Sequence, residues 1–307
     1  MAKLQSSVVT RKTKEPLLTT APDPAEPKTL EREELQLDVQ TTRFGERSRD
    51  ARSVMDVAIF RLSKREKRCN QTIRYDLPDG FVEVSSGPAG MATIWDYDIV
   101  IMAVSHLTKA MNSYRSGHGV KPGRLFRPSV SSILRGDGGR QYEELEWALD
   151  RLKTTTVKIK RTMKERNGRR LLDISAEGLI SSYRILQRND ERRVVAVEIE
   201  LPNLLYNEIV QRETPAVLTV HSDYLRLQSG IARFVYRLAR LRAGKNDCTW
   251  TFRKLYERSG SQGDFKKFTF RLRELIKDDD LPEYSLAEVA GETGPMLIMK
   301  NRKTTVG

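Results

Sequence analysis

Apolar positions recur with a helical period in some stretches of the chain and with a period of two in others, and the order of these stretches is itself repeated. Asp96 is the expected cap of an apolar run, Tyr97–Tyr114, in which Ile99, Ala103, Leu107, Ala110 and Tyr114 share one helical face. A Gly-rich break at Gly117–Gly123 leads to a short basic strand, Arg124–Arg127, and Pro128-Ser129 starts a short helix, Val130–Leu134. The turn Gly136–Arg140 separates it from a second helix, Gln141–Leu152. The β-branched run Thr154–Ile159, a polar loop over Thr162–Arg170 and the apolar run Leu171–Ser175 predict a hairpin. Strand patterns follow in Gly178–Gln187 and Val194–Leu201, with Asn189-Asp190 as their turn. Helix, short strand, short helix, turn, helix, hairpin is the order of a winged helix, a helix-turn-helix with a hairpin appended.

The order recurs without a letter-by-letter repeat. A helix over Ser229–Ala243 aligns Ile231, Val235 and Leu238 and stops at Gly244. A strand at Thr249–Phe252, a helix at Arg253–Arg258 and the turn Ser259–Gly263 follow. Asp264 caps a helix reaching about Lys277, and Leu281-Pro282 breaks it. Tyr284–Ala290, the turn Gly291–Gly294 and Met296–Lys300 form the second hairpin, and Pro202–Gln211 predicts a linking helix. Before Ser53, Pro16, Pro22, Pro24 and Pro27 are interleaved with acids and threonines, no apolar period is sustained, and only Thr29–Val39 offers a short helix. The expected architecture is α+β: a disordered tail (1–52), a first winged-helix domain (53–212) and a second winged-helix domain (213–307).

Projection gives the helices their roles. In the last helix Phe265, Phe268, Leu272, Leu275 and Ile276 form the core stripe, while Lys266, Phe270, Arg273 and Lys277 lie opposite, with Lys267 and Arg271 at the margins. A basic second helix of a helix-turn-helix suits the major groove, and an outward Phe270 suits thymine methyls. Arg253, Lys254, Arg258, Ser261, Gln262, Thr269, Lys300 and Arg302 flank this helix and complete the candidate DNA-binding set in the second unit. Arg233, Arg237 and Arg240 share a face of the preceding helix, where they either meet phosphates or solvate the surface.

The first unit is charged differently. Tyr142, Leu145, Leu149 and Leu152 mark the core side of its second helix; the other side carries Glu143, Glu144, Glu146, Trp147, Asp150 and Arg151. Four acids make a poor groove reader, and an exposed Trp147 suggests a protein interface. Residues 151–170, by contrast, hold nine Lys/Arg and one acid, Glu165. The hairpin is therefore the expected DNA element, a wing gripping backbone through Lys158, Lys160, Arg161, Lys164, Arg166, Arg169 and Arg170.

Charge and composition narrow the class. The 307 residues hold 54 Lys+Arg against 41 Asp+Glu, a formal +13, which favours a polyanion, nucleic acid or an acidic membrane surface, and argues against a typical acidic metabolic enzyme. The charge is concentrated in residues 151–170 and 226–307, leaving the remainder nearly neutral. Cys69 and Cys248 exclude a disulfide scaffold, and no apolar run spans a membrane, so a soluble cytoplasmic protein without a membrane partner is expected. Gly244-Lys245 lacks the rest of a phosphate-binding loop, and His106, His118 and His221 are isolated. No catalytic constellation, metal site or cofactor is expected.

Phe60-Arg61-Leu62-Ser63-Lys64, Gly90-Met91-Ala92-Thr93-Ile94-Trp95-Asp96, the run Tyr142…Leu145…Ala148-Leu149…Arg151-Leu152…Thr155…Val157, and Phe265…Phe268…Leu272-Arg273 with Asp280-Leu281-Pro282…Tyr284 resemble the replication initiator protein A family of bacterial plasmids. The resemblance covers about residues 53–302, and the Gly90–Asp96 stretch is its most specific part. The glycine turn Arg135–Arg140 departs from the family's Gly-Arg-Thr-like stretch. The resemblance implies tandem winged helices that bind repeated duplex DNA sites (iterons) at an origin, help open an AT-rich segment, and recruit the host replicative helicase and host initiator. It also implies homodimers that repress their own gene, base readout mainly by the C-terminal unit, and no nucleotide cofactor. A winged-helix repressor without a replication role and a DNA-nicking enzyme are the competing readings.

Overall fold

A computed structural model describes residues 48–134, 140–164, 168–187 and 194–305. The expected tail over 1–47, the helix at Thr29–Val39 and the turn Gly136–Gly139 lie outside them. The tail boundary itself is corrected. Strand β1, Arg49–Ala51, falls inside the segment read as tail, and Asp50 and Ala51 are fully buried.

Two strands that the pattern analysis did not resolve come next, β2 (Thr72–Leu77) and β3 (Gly80–Ser85), paired as a tight hairpin. Helix α1, Asp98–Arg115, buries Ile99 through Val104 almost continuously, because its first turns pass through the middle of the molecule. Strand β4 (Leu125–Phe126), α2 (Val130–Ile133), α3 (Gln141–Thr154), β5 (Thr156–Lys164) and β6 (Arg170–Gly178) follow, then the hairpin β7 (Ser182–Gln187) and β8 (Val194–Glu200). Helix α4 (Asn203–Val210) and strand β9 (Val217–Thr219) link to the second unit: α5 (Gly230–Arg242), β10 (Asp247–Thr251), α6 (Phe252–Arg258), α7 (Phe265–Asp278), β11 (Tyr284–Gly291) and β12 (Gly294–Asn301).

Register shows where the two winged helices match. In the second unit the sheet order is β10-β12-β11, the short strand pairing with the far arm of the hairpin. The first unit has the same order in β4-β8-β7. Its wing is therefore β7–β8, not the basic hairpin. β5–β6 belongs instead to a separate antiparallel sheet, β2-β3-β5-β6, inserted between α3 and the wing. The insert has a dry and a wet face, by the alternation of side chains along each strand. Tyr75, Val82, Val84, Val157 and Ile159 are buried on one side; Arg74, Phe81, Glu83, Lys158 and Lys160 occupy the other.

Strand β1 crosses the expected boundary between domains by pairing with β9. Helix α5 crosses it more forcefully. Arg237 Nε donates to Asp50 Oδ2 at 2.7 Å, with both side chains at most 1 % exposed. Tyr97 Oη donates to the other Asp50 oxygen at 3.0 Å, and the Arg237 guanidinium lies 4.8 Å from the Phe60 and Tyr97 ring centroids. Arg233 Nη1 reaches both oxygens of Asp98 at 2.8 and 2.9 Å, while its Nε and Nη2 donate to the Leu227 and Leu225 carbonyls. Arg240 Nε donates to the Thr219 carbonyl. The face of α5 that was to touch phosphate or water is thus turned inward. Burial pushes the Arg237 pKa down, but Asp50 and the neighbouring tyrosines more than offset this and hold it above the ordinary arginine value.

Removing one member of such a pair leaves the other charge desolvated. Asp98→Ala should lower the unfolding free energy by about 3–5 kcal/mol in a urea titration, while Asp98→Leu with Arg233→Met recovers most of it. A loss below about 1 kcal/mol for Asp98→Ala would show that the pair does not hold the units together.

Candidate nucleic-acid interface

Helix α7 starts where Asp264 Oδ1 accepts the Lys266 amide at 2.8 Å and ends at Asp279, whose φ of 44° closes it in the left-handed region. Phe268, Leu272 and Leu275 are buried and Phe265 and Ile276 half-buried, as the projection required. The opposite side is open. Lys266, Lys267, Phe270, Arg271 and Lys277 are exposed, and Phe270 at 62 % is not packed beneath the wing. None of these four cations has an ion-pair partner among the described residues. Lys254 on α6 and Lys300 on β12 are also exposed.

Other members of the expected set are engaged within the protein. Arg273 makes a bidentate pair with Glu288 of β11, at 2.7 and 2.9 Å, tying the helix to the wing. This contact holds the Glu288 carboxyl below its usual range and raises Arg273. Arg258 lies 3.6 Å from Asp56, which Arg242 also approaches at 2.6 Å, and Arg302 holds Asp279 at 3.0 Å. Arg253 is exposed but lies flat on Phe265, 3.9 Å from the ring centroid. Thr269 is half-buried with its hydroxyl turned inward, so it does not belong to the outer face. Ser261 accepts from Ser259, and Gln262 donates to Gln71 at 3.0 Å, bringing the loop before β2 beside the α6–α7 turn.

In the first unit the basic residues spread over the inserted sheet. Lys158 and Lys160 of β5 lie 6.0 and 5.8 Å from the Phe81 ring, which Arg74 of β2 covers at 3.9 Å. The three cations share one wet face with Glu83 and Asp76 between them. Arg161 points to the dry side, 4.0 Å from Asp79, and Arg169 and Arg170 are exposed at the far end of the hairpin. The Lys164 side chain and the whole of Arg166 lie outside the described residues. Arg74 and Phe81 escaped the sequence reading. Their signal, basic and aromatic residues alternating along a strand, becomes visible only once the β2-β3-β5 register places them beside Lys158 and Lys160.

Helix α3 keeps its acidic character. Leu145, Leu149 and Leu152 are buried, Glu143, Glu144 and Glu146 are exposed, and Trp147 is 55 % exposed. Asp96 is drawn beneath the helix by a bidentate pair with Arg151, 2.9 Å on each arm. It accepts the Thr93 amide rather than capping α1. The stretch with the most specific family text therefore anchors α3.

The fold is a pair of tandem winged helices of which one carries a basic second helix, and comparison with known proteins gives its family. The family model for replication initiator protein A matches residues 49–286, and the chain belongs to that family. A curated protein of Wigglesworthia glossinidia brevipalpis, whose name gives it as a replication protein, is 30% identical over 216 residues, 69% of this chain and 75% of the relative. Two crystal structures of RctB domains 2 and 3 are similar in fold. One, of selenomethionine derivatives, has a TM-score of 0.55 at 13% identity, covering 82% of this chain and 98% of that one. The other, of residues 155–483, has a TM-score of 0.51 at 11% identity, covering 82% and 97%. At these identities the likeness shows the fold alone. The protein is a replication initiator by family. Among the described residues no helix is long and apolar enough to cross a membrane.

If Phe270 and Trp147 are surface features and not part of the core, Phe270→Ser and Trp147→Ser should each change the unfolding free energy by no more than about 0.5 kcal/mol. A loss of about 2 kcal/mol or more in chemical denaturation would place the ring in a packed site.

Proposed function

We propose that this initiator binds duplex DNA at repeated sites of a plasmid origin, with α7 in the major groove. The exposed basic face of α7, where Lys266, Lys267, Arg271 and Lys277 have no ion-pair partner among the described residues, supports this reading most directly. Lys266, Lys267, Arg271 and Lys277 reach base edges and phosphates, Phe270 meets thymine methyls, and Lys254 and Lys300 touch flanking backbone. Arg273 acts by fixing the wing to the helix. The wet face of the inserted sheet adds sequence-independent grip through Lys158, Lys160, Arg169 and Arg170, aided by Arg74. This is electrostatic holding, which positions the protein without specifying bases. Work for origin opening comes from DNA binding and from the host replicative helicase and host initiator that the protein recruits, so no catalytic step or cofactor is assigned to it. Trp147 and the acidic side of α3 serve protein contacts, a second copy among them, and dimers repress the initiator's own gene. Activity is cytoplasmic.

Footprinting on the DNA flanking the gene tests the central reading. Lys266→Ala with Phe270→Ala should lower affinity for the protected repeats by tenfold or more and relax base preference, since a good base contact is worth about 1–3 kcal/mol. Lys158→Gln with Lys160→Gln should weaken binding to every sequence alike and flatten the salt dependence by about one unit per lost phosphate contact. Full specific affinity in the α7 double variant would rule out the helix as reader. Stable plasmid inheritance after deletion of the gene would leave a repressor and remove the replication role.

A further inference from the structure

The loop joining the first unit's Phe60–Lys64 stretch to β2 runs beside the start of α7 and leaves a cleft of about 280 Å³ between them. Arg65 and Arg68 line one wall; Lys267, Arg271 and Ser261 line the other. Arg68 is only 6 % exposed, yet its Nε and Nη1 meet no acceptor among the described residues. Two buried guanidinium nitrogens without acceptors are costly, and burial lowers the Arg68 pKa even though Tyr75 and Glu66 pull it upward. The backbone is also held in an uncommon form, with φ of 51° at both Arg68 and Asn70, neither of them glycine. The loop is pinned in this shape by Ser86 Oγ, which donates to the Arg68 carbonyl, by Met91, whose amide donates to the Lys67 carbonyl, and by the Gln262–Gln71 bond.

Two acids border the same cleft. Asp264 is committed to the Lys266 amide at the start of α7. Glu66 is exposed and is the one carboxylate there without a hydrogen bond of its own among the described residues. Four cations against two acids, one of them occupied, leave the cleft positive and its most buried donor unmatched.

We propose that this cleft is a phosphate site, in which one phosphate group is held jointly by Arg65 and Arg68 of the first unit and by Lys267 and Arg271 of α7. Its oxygens complete the hydrogen bonds of Arg68 and offset a charge that the fold alone leaves unanswered. The proposal deepens the DNA reading: the first unit then grips the backbone next to the bases that α7 reads, through residues outside both the basic hairpin and the recognition helix. The same chemistry would accept a free phosphate anion, and the two sources are separable by experiment.

The test uses the full chain. Thermal melts with and without sodium phosphate, at fixed ionic strength set by sodium chloride, read the site itself. A salt series with a random-sequence duplex of about three helical turns reads backbone contact. For the wild type, phosphate should raise the melting temperature, and Arg68→Gln should abolish the rise. Arg65→Ala, at an exposed position, should reduce the rise several-fold without lowering the melting temperature in chloride. Glu66→Gln should strengthen it. Arg65→Ala and Arg68→Gln should each lower the slope of log affinity against log salt by about one. A lost melting response with an unchanged slope assigns the site to a free anion. No phosphate response in the wild type, with an unchanged slope in both arginine variants, overturns the proposal. Failure of the wild type to bind any duplex would instead sink the DNA reading, while the melts still decide the site.

Discussion

Arg233 and Arg237 of α5 carry the structure's largest electrostatic liability and its main connection. Each is almost fully buried, and each finds its counter-ion in the other half of the chain, Asp98 at the start of α1 and Asp50 in β1. An ion pair removed from water gains little net stability over an apolar pair of the same volume, but an unmatched member is strongly destabilising. The two pairs therefore act more as a specification of position than as a source of stability. Only one placement of α5 against α1 and β1 satisfies both arginines, the Leu225 and Leu227 carbonyls and the Tyr97 hydroxyl at once. That placement fixes the second winged helix relative to the first, and with it the position of α7 beside the Arg68 loop.

Asp98 is well suited to this role because it lies in the first turn of α1, where the free amides and the helix dipole already favour a negative charge. Asp50 has no such help and is held by two side-chain donors, Arg237 and Tyr97. Both acids belong to stretches whose pattern gives little away: one ends a polar segment, the other starts an apolar helix. A long basic helix face followed by a Gly stop reads as a surface in projection, since nothing local says that aspartates far away in sequence will cover it. The physical signal for α5 is its apolar content on every side, with Phe234, Val235, Tyr236 and Leu238 all buried around the arginines.

The same distinction explains what was legible elsewhere. The helices of both units were readable, because a helix declares its core stripe within a few turns: α7 and α3 bury or half-bury the residues that projection assigned. Sheet membership was not readable, because pairing is set by partners distant in sequence. The run Thr154–Ile159 reads as a strand wherever it pairs. Its union with β3, and the union of β4 with β8, are decided by the turn lengths and by the need to bury Val82, Val84, Val157 and Ile159 together. For the same reason Arg273, Arg258 and Arg302 read as free cations in the sequence and are paired in the fold. Formal charge locates basic residues; only geometry shows which of them remain available to a ligand.

Once the paired cations are set aside, the duplication becomes functionally asymmetric. Both units present the second helix of a helix-turn-helix on the same sheet order, so the backbone offers each the same opportunity to enter a groove. Side chains decide differently. On α7 the exposed cations Lys266, Lys267, Arg271, Arg273 and Lys277 outnumber the exposed acids Glu274 and Asp278 and stand beside Phe270; on α3 the exposed residues are Glu143, Glu144, Glu146 and Trp147, with Lys153 in the last turn. Carboxylates placed against phosphates would lose hydration and gain repulsion, so α3 is unsuited to the groove position proposed for α7. The inserted sheet restores positive charge to the first unit through Lys158, Lys160 and Arg74 on its wet face. On the proposed reading the duplicated fold supplies one reader of bases and one scaffold, whose second helix is left to proteins while its added sheet and its Arg68 loop hold the DNA backbone.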